Sequence, residues 1–201
     1  MQIKKNALFL ITLFFLSEIQ AQNFNYTIGI KLFPEIATLN GYFGRIAFGG
    51  GAYFIRYFPK YELSLETGLY VLDKGSGGKK LIYGTGSFDV IGETRYAKHY
   101  YFIGIPILLR THRNIFYSSF GGSLEYYLSQ KFVNSETIFN ESDYHKLNFA
   151  ININGGINVP LNQQINLSAE GRFSYNLIPL HKDFSQKFMN FGIGIGGNYN
   201  F

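Results

Sequence analysis

The side chains in this sequence that could do chemistry are mainly charged residues spaced with a period of two inside alternating apolar and polar segments. In a strand this spacing places them on the polar face. Opposite charges that leave water must pair, so they predict a buried network of ion pairs, with a narrow ion path as the alternative interpretation. The predicted network comprises Lys31, Glu62, Glu66, Arg110, Glu125, Glu170 and Arg172.

Two groupings have the residue types of catalytic sites. Glu62 and Glu66 lie four residues apart on one strand face, roughly 13 Å along a strand and too far apart to act on one bond. Ser142, Asp143 and His145 contain the groups of a hydrolase triad. Such a small polar cluster is typical of a solvated loop. We therefore expect no catalytic residues and predict that the protein is not an enzyme.

Cofactor and metal signals are weak throughout the sequence. There is no cysteine, and the glycine-rich run 192–197 resembles a dinucleotide fingerprint only superficially. That fingerprint needs a following helix whose N-terminus binds phosphate, whereas the chain ends at Phe201. The alternating glycines instead suit a narrow interior in which side chains from opposite walls must fit. We expect no metal and no cofactor, and the scattered basic residues argue against nucleic acid as a partner.

The N-terminal segment has the anatomy of a secretory signal peptide. Lys4 and Lys5 precede an apolar stretch over residues 7–16, and Ala21 supplies the small residue at the cleavage position. The apolar stretch is well short of the roughly 20 residues that span a bilayer as a helix. We predict a signal peptide over 1–21 and one β-barrel domain over 22–201.

The elements that must position the charged residues are eight segments with period-two alternation. In the sixth segment, Ile and Phe alternate with several Asn residues, which a dry core would leave unsatisfied. A polar interior and an apolar outer face explain this pattern. The glycines at 49–51 and Pro106 each predict a β-bulge. The predicted strands are 25–33, 44–58, 61–73, 100–110, 115–128, 147–159, 165–177 and 189–201.

The links between these segments alternate between short and long. The links 59–60, 111–114 and 160–164 are short, and 34–43, 74–99, 129–145 and 178–187 are long. Short periplasmic turns and long outer loops are typical of bacterial outer-membrane barrels. The sequence thus predicts an all-β fold, an eight-stranded antiparallel up-and-down transmembrane β-barrel in contact with outer-membrane lipid. The aromatics expected to anchor it at the membrane interfaces are Tyr26, Tyr101, Phe116, Tyr126, Tyr175, Tyr199 and Phe201.

Three stretches carry a resemblance to a known family: residues 29–31, 62–70 and 101–109. With them, the mature chain resembles the outer-membrane β-barrel domain family that includes PorT-like and OmpA-like small barrels of the Bacteroidetes type. The closing Phe201 resembles the C-terminal aromatic that the barrel-assembly machinery reads. The resemblance implies an outer-membrane location and a link to secretion or surface assembly through an extracellular or secretion-system protein partner.

The sequence leaves three functions open. The first is a non-enzymatic outer-membrane barrel with a structural, adhesion or assembly role, which acts through its extracellular loops, above all 74–99. The second is a small porin-like channel. The third is a soluble periplasmic barrel that binds a lipophilic ligand as lipocalins do, and it requires apolar residues facing inward.

Overall fold

Eight antiparallel strands form the chain's regular structure. The computed structural model describes residues 26–39, 44–83, 90–133, 143–182 and 185–201. Each strand pairs with the next, and β1 pairs with β8 to close the barrel, which confirms the predicted fold class. The strands are β1 (Tyr26–Leu39), β2 (Arg45–Phe58), β3 (Leu63–Tyr83), β4 (Val90–Arg113), β5 (Phe116–Val133), β6 (Leu147–Pro160), β7 (Ile165–Asn176) and β8 (Phe188–Asn200).

The two faces of the barrel have opposite chemistry. On β1, Ile30 is 69% exposed, and the next residue, Lys31, is only 2% exposed. The same alternation continues around the ring, with aliphatic and aromatic side chains outside. Inside, charged, amide and hydroxyl side chains lie beside a group of buried aromatic and aliphatic ones. This arrangement differs from that of a water-soluble barrel, because many large apolar side chains are exposed on the outer face while ion pairs are buried inside.

Three strands extend well beyond the others at the long-loop end. β3, β4 and β5 have 21, 24 and 18 residues, whereas β2 pairs with β3 only as far as Leu72 and β6 pairs with β5 only as far as Tyr126. We call the projecting residues 75–83, 90–99 and 131–133 the extension. The prediction of a loop over 74–99 is therefore wrong for most of its length, because Gly75–Gly78 pair in register with Tyr96–His99.

Neither predicted bulge is present. The register between β1 and β2 runs without a shift from Tyr26↔Arg56 to Ala37↔Arg45, so the glycines at 49–51 keep the alternation. Pro106 interrupts the hydrogen-bonded pairing with β3 because it has no N–H, but the register on both sides is the same. The irregularity in the β4–β5 ladder lies instead between Tyr101 and Phe102.

The opposite end of the barrel has tight turns. A 3₁₀ turn, Pro59–Tyr61, joins β2 to β3 and ends at Glu62, which has a left-handed backbone conformation with φ of 51°. Asn114 makes the turn between β4 and β5 with φ of 58°. Both described chain ends lie here, since Tyr26 and Phe201 exchange backbone hydrogen bonds of 3.0 and 2.9 Å. We call this the short-turn end.

Some predictions fall outside the described residues. The signal peptide over 1–21, Ser142 and most of the predicted loop 129–145 beyond Val133 belong to this group. Within the ranges that the structure covers, no helix is long and apolar enough to cross a membrane.

Candidate functional site in the barrel interior

A cluster of ion pairs occupies the middle of the barrel. Lys31 Nζ lies 3.1 Å from Glu66 Oε1 and 3.0 Å from the Glu170 carboxylate. Arg110 donates a hydrogen bond to the second oxygen of Glu66. Since β1, β3, β4 and β7 each supply one of these residues, the cluster ties opposite walls of the barrel together. We call it the central cluster.

Arg172 extends the central cluster toward β1. Its Nε lies 3.6 Å from Glu170 and 3.7 Å from Glu35, and its guanidinium carbon lies 3.6 Å from the centre of the Phe33 ring. A guanidinium over an aromatic face is stabilised by the negative charge density of the ring. Phe33 thus gives this cation a favourable contact in addition to the two carboxylates.

Tyrosine hydroxyls add hydrogen bonds to the two carboxylates of the central cluster, at the oxygens that also accept from Lys31. Tyr70 donates to Glu66 at 3.0 Å, and Tyr117 donates to Glu170 at 2.6 Å. Hydrogen bonds to a buried carboxylate offset part of the cost of removing it from water. The two tyrosines therefore make the site a connected polar network rather than a set of isolated ion pairs.

A second ion pair lies nearer the long-loop end. Lys74 Nζ donates to Glu125 at 2.7 Å and to Asn176 Oδ1 at 2.8 Å, and the Asn176 amide donates back to Glu125 at 2.7 Å. All three side chains are almost fully buried. The lysine, the glutamate and the amide thus satisfy one another in a closed group.

Glycines opposite the carboxylates make room for them. A Cβ atom at Gly194 would lie 2.8 Å from Cγ of Glu170, and one at Gly192 would lie 2.4 Å from Cγ of Glu35. Side chains at these β8 positions would displace the carboxylates from their cations. The glycine run thus serves the packing of the interior, as the sequence suggested.

Around the ion pairs, the interior is neutral in charge and nearly full. The cations Lys31, Lys74, Arg110 and Arg172 are matched by Glu35, Glu66, Glu125 and Glu170. A cavity of about 20 Å³ remains between the two ion-pair groups, with Arg172, Ser174 and Asn190 in its lining. That volume holds about one water molecule and is too small for a hydrated ion to pass.

A layer of aromatic side chains lies above the ion pairs at the long-loop end. Tyr100 packs against Tyr144 and Phe188 with ring centres 5.8 and 5.6 Å apart, and Tyr127 stacks on Tyr144 at 5.5 Å. Tyr144 reaches this layer because the segment that carries it forms a β-bridge with His181. Burial raises the pKa of Tyr144, so its phenol stays neutral. The layer closes the barrel above Lys74.

The structure brings together six of the seven charged residues predicted to face inward. Lys31, Glu66, Arg110, Glu170 and Arg172 lie in the central cluster, and Glu125 lies in the second pair. Glu62 does not join them and is exposed, because the 3₁₀ turn ends at this residue and β3 begins only at Leu63.

Sequence reasoning missed Glu35 and Lys74. Both were assigned to loops, since Pro34 and the glycines at 75–78 are ordinary turn signals. The alternation nevertheless continues through them. Glu35 follows Lys31 and Phe33 at spacing two, and Lys74 follows Tyr70 and Leu72 in the same way. The continued alternation of inward and outward positions was therefore the signal that could have identified Glu35 and Lys74 as interior residues.

The seven predicted anchoring aromatics all lie on the outer face of the barrel, at its two ends. Tyr26, Phe116, Tyr199 and Phe201 surround the short-turn end, where Tyr26 stacks on Phe201 with ring centres 5.9 Å apart. The remaining three, Tyr101, Tyr126 and Tyr175, lie toward the long-loop end. Their contact with lipid remains a prediction.

Of the three residues with hydrolase-type side chains, the structure describes Asp143 and His145. Asp143 and His145 contribute backbone groups to the contact with Leu180 and Lys182, and Ser142 lies outside the description. Across the described ranges, no group of three or more His, Cys, Asp or Glu side chains is placed to hold a metal ion.

Comparison with solved structures gives the class of this fold. Neisserial surface protein A superposes with a TM-score of 0.53 at 10% identity, covering 88% of this chain and 97% of that one. The attachment invasion locus protein Ail of Yersinia pestis gives a TM-score of 0.49 at 12% identity, covering 90% of this chain and 100% of its own. The chain is thus a small, closed, eight-stranded antiparallel barrel of the kind found in Neisserial surface protein A. No protein-family model and no curated protein matches the sequence.

Proposed function

We propose that this protein is a non-conducting outer-membrane barrel that holds a rigid binding surface, the extension, outside the cell. The observation that carries the proposal is an interior closed by neutral ion-pair groups and an aromatic layer, beneath an outward sheet of three long strands. The barrel is the anchor in this proposal, and the extension is the part that meets a partner.

The outer face supports a lipid environment. Ile30, Leu32 and Ile46 are each 68% or 69% exposed. In water, a band of such side chains around the whole barrel would cost several kcal/mol and would promote aggregation. In a bilayer it contacts lipid tails, and the barrel satisfies its own backbone hydrogen bonds. The soluble lipocalin-like alternative is disfavoured because it requires the opposite arrangement of faces.

The extension supports a role in binding. Arg45, at the start of β2, donates to the carbonyl oxygens of Lys74 and Lys98 at 3.0 and 3.1 Å and also pairs with Asp73. Asp73 in turn lies 3.1 Å from His99, which stacks on Tyr101. These contacts brace the base of the projecting strands. Binding surfaces are commonly presented in this way, on segments held by a rigid scaffold.

Export and assembly complete the proposal. Residues 1–21 would direct secretion, with cleavage near Ala21, and Phe201 would be read by the barrel-assembly machinery as the C-terminal aromatic. Phe201 is 62% exposed at the end of β8, where another protein can reach it. A PorT-like role in secretion or surface assembly, through a protein partner at the extension, is the specific form of this function that the sequence resemblance favours.

Two measurements test the proposal together. We expect the protein in the outer-membrane fraction, migrating differently on gels before and after boiling, and no stable single-channel conductance in planar bilayers. A soluble periplasmic protein would refute the membrane barrel. Steady conductance that changes with Arg172→Ala would instead establish the porin-like alternative, because Arg172 lies where an ion would have to pass.

A further inference from the structure

The described residues leave the barrel interior unfilled at the short-turn end. Two adjoining hollows of about 530 and 390 Å³ open there, and Tyr57 lines both of them. We call the two together the vestibule. Each lies within the roughly 300 to 1,000 Å³ that small-molecule sites occupy. The central cluster closes the barrel beyond it, so the vestibule is a cup and not the entrance of a channel.

The floor of the vestibule is held rigidly. His112 Nε2 lies 2.7 Å from Ser64 Oγ, and the His112 ring packs against Tyr57 and Tyr117 at centre-to-centre distances of 5.1 and 6.2 Å. Tyr117 donates to Glu170 in the central cluster. The ion pairs therefore fix the floor through a short chain of contacts, and a ligand would meet a preformed surface.

Amide side chains dominate the polar part of the lining. Asn158 and Asn166 line the larger hollow, and Gln163 and Asn200 line the smaller one. Each amide both donates and accepts hydrogen bonds, which matches hydroxyl groups that do the same. Oδ1 of Asn158 is buried and accepts no hydrogen bond from any described residue. An unpaired buried acceptor is uncommon in a folded protein and favours a further donor near this residue.

The charge of the lining selects against anions. Among the described residues that line either hollow, Glu62 has the one acidic side chain, and none is Lys or Arg. A phosphate or carboxylate ligand would have no cation to pair with. The Tyr57 ring supplies apolar area beside the amides, and Pro59, Pro160 and Ile115 also line the larger hollow. An uncharged ligand with many hydroxyls and apolar C–H faces fits this combination.

We propose that the vestibule is a binding site for an uncharged saccharide of a few sugar rings. The identification of the source rests on the proposed function. In an outer-membrane barrel with its short turns inward, the vestibule faces the periplasm, where the glycan strands of the cell wall are the abundant saccharide. The same chemistry would also accept a free oligosaccharide, so the experiment separates the two sources.

The experiment uses the full mature chain folded in detergent micelles, with amide NMR spectra as the readout. The probes are N,N′,N″-triacetylchitotriose and, separately, maltotriose. We expect saturable shifts confined to residues around Tyr57, His112 and Asn158, with a Kd of about 1 mM for the better probe, because a few neutral hydrogen bonds supply most of the affinity. Cosedimentation with purified cell-wall sacculi then tests the cell wall as the source.

Variants locate the site. Asn166→Ala and Asn158→Ala should each weaken binding roughly fivefold to tenfold, because each removes a hydrogen-bonding amide. Tyr57→Leu, which removes the ring, is a third variant in case one of the others does not fold. Lys60→Ala is the matched control, since Lys60 is exposed on the neighbouring turn outside the lining, and it should bind as the wild type does.

The outcomes distinguish failure of this inference from failure of the proposed function. Heat-modifiable migration checks the barrel for every sample. A folded barrel that gives no shifts with either sugar, or shifts unchanged in all three variants, overturns the saccharide site and leaves the membrane function intact. Shifts lost in the variants support it. Cosedimentation with sacculi then assigns the cell wall as the source, and its absence assigns a free oligosaccharide.

Discussion

Glu66 accepts hydrogen bonds from Lys31, Tyr70 and Arg110 inside the barrel, whereas Glu62, four residues earlier, is exposed at the short turn. The sequence spacing places both on one strand face. Their environments differ because β3 begins only at Leu63, so Glu62 is not part of the strand. The pair therefore offers a matched test of what burial in the central cluster contributes.

We expect Glu66→Gln to lower the free energy of unfolding by about 3 kcal/mol, since it leaves two buried cations with one carboxylate fewer. The control Glu62→Gln should change it by no more than about 0.5 kcal/mol, as is usual for exposed sites. Urea titration of the barrel in lipid vesicles measures the free energy of unfolding of both variants. The folded fraction is read from heat-modifiable migration on gels. Equal effects would contradict the central cluster as a source of stability.

Gly51 is another residue whose importance depends on its neighbours. A Cβ atom there would lie 2.0 Å from the carbonyl oxygen of Leu69 and 2.6 Å from Cδ1 of Tyr70. At Gly155, by contrast, a Cβ would meet nothing within 4 Å. Both glycines lie within strands, so β-propensity alone does not distinguish them.

We therefore expect Gly51→Ala to destabilise the barrel by about 2 kcal/mol, because backbone atoms cannot yield as a flexible side chain does. Gly155→Ala should be neutral or slightly stabilising. Folding yield into vesicles at a range of urea concentrations gives the comparison. A Gly51→Ala barrel as stable as that of Gly155→Ala would show that β2 and β3 lie farther apart than described.

At the scale of elements, the extension is the feature that sequence reasoning assigned least well. Residues 75–80 were predicted to form a loop, because glycine, serine and lysine are not typical of strands. Pairing with β4 overrides that preference, since Ser76 pairs with Lys98 and Lys80 with Thr94 in one continuous register. A strand held by its neighbour does not need strong local propensity.

The extension should be separable from the barrel. We expect deletion of residues 77–97, with Ser76 and Lys98 joined through an Asn-Gly turn, to leave a heat-modifiable barrel, because those two residues already pair. A longer deletion that begins at Lys74 should fold poorly, since it leaves Glu125 without its cation. Outer-membrane fractionation of both variants tests this, and loss of insertion in the shorter deletion would contradict it.

At the scale of the whole molecule, the barrel has an apolar outside and a charged, neutralised inside. This inversion stabilises a protein only if lipid covers the outer band. The proposed depth of the membrane can be tested with one outer-face residue within the barrel ring and one on the extension. Ile30 is on the outer face of the closed barrel, where its strand pairs at Ala52 on one side and Gly197 on the other. Val133 pairs with Ala97 on the extension.

We expect Ile30→Arg to lower the stability of the barrel in vesicles by about 2 to 4 kcal/mol, which is the cost of a cation near the bilayer midplane. Val133→Arg should cost no more than about 0.5 kcal/mol, because the extension stands in water. Urea unfolding of vesicle-inserted protein measures both variants. A similar cost at the two positions would mean that the membrane does not end below the extension.

The sequence by itself determined the number of strands and, for the sixth to eighth strands, the phase and therefore which side chains face inward. These properties are local, because a period of two is written along each segment and does not depend on its neighbours. The same reasoning placed Lys31 and Arg172 on the inner face before any partner was known.

Only the tertiary structure decided which inward residues meet. Lys31 pairs with Glu170 across 139 residues of sequence, and Lys74 joins Glu125 and Asn176 from two other strands. Closure of the ring and the shared register of eight strands fix such contacts, and neither is encoded in one segment. The extent of β3 and β4 was decided in the same way, because backbone pairing between strands determined where each one ends.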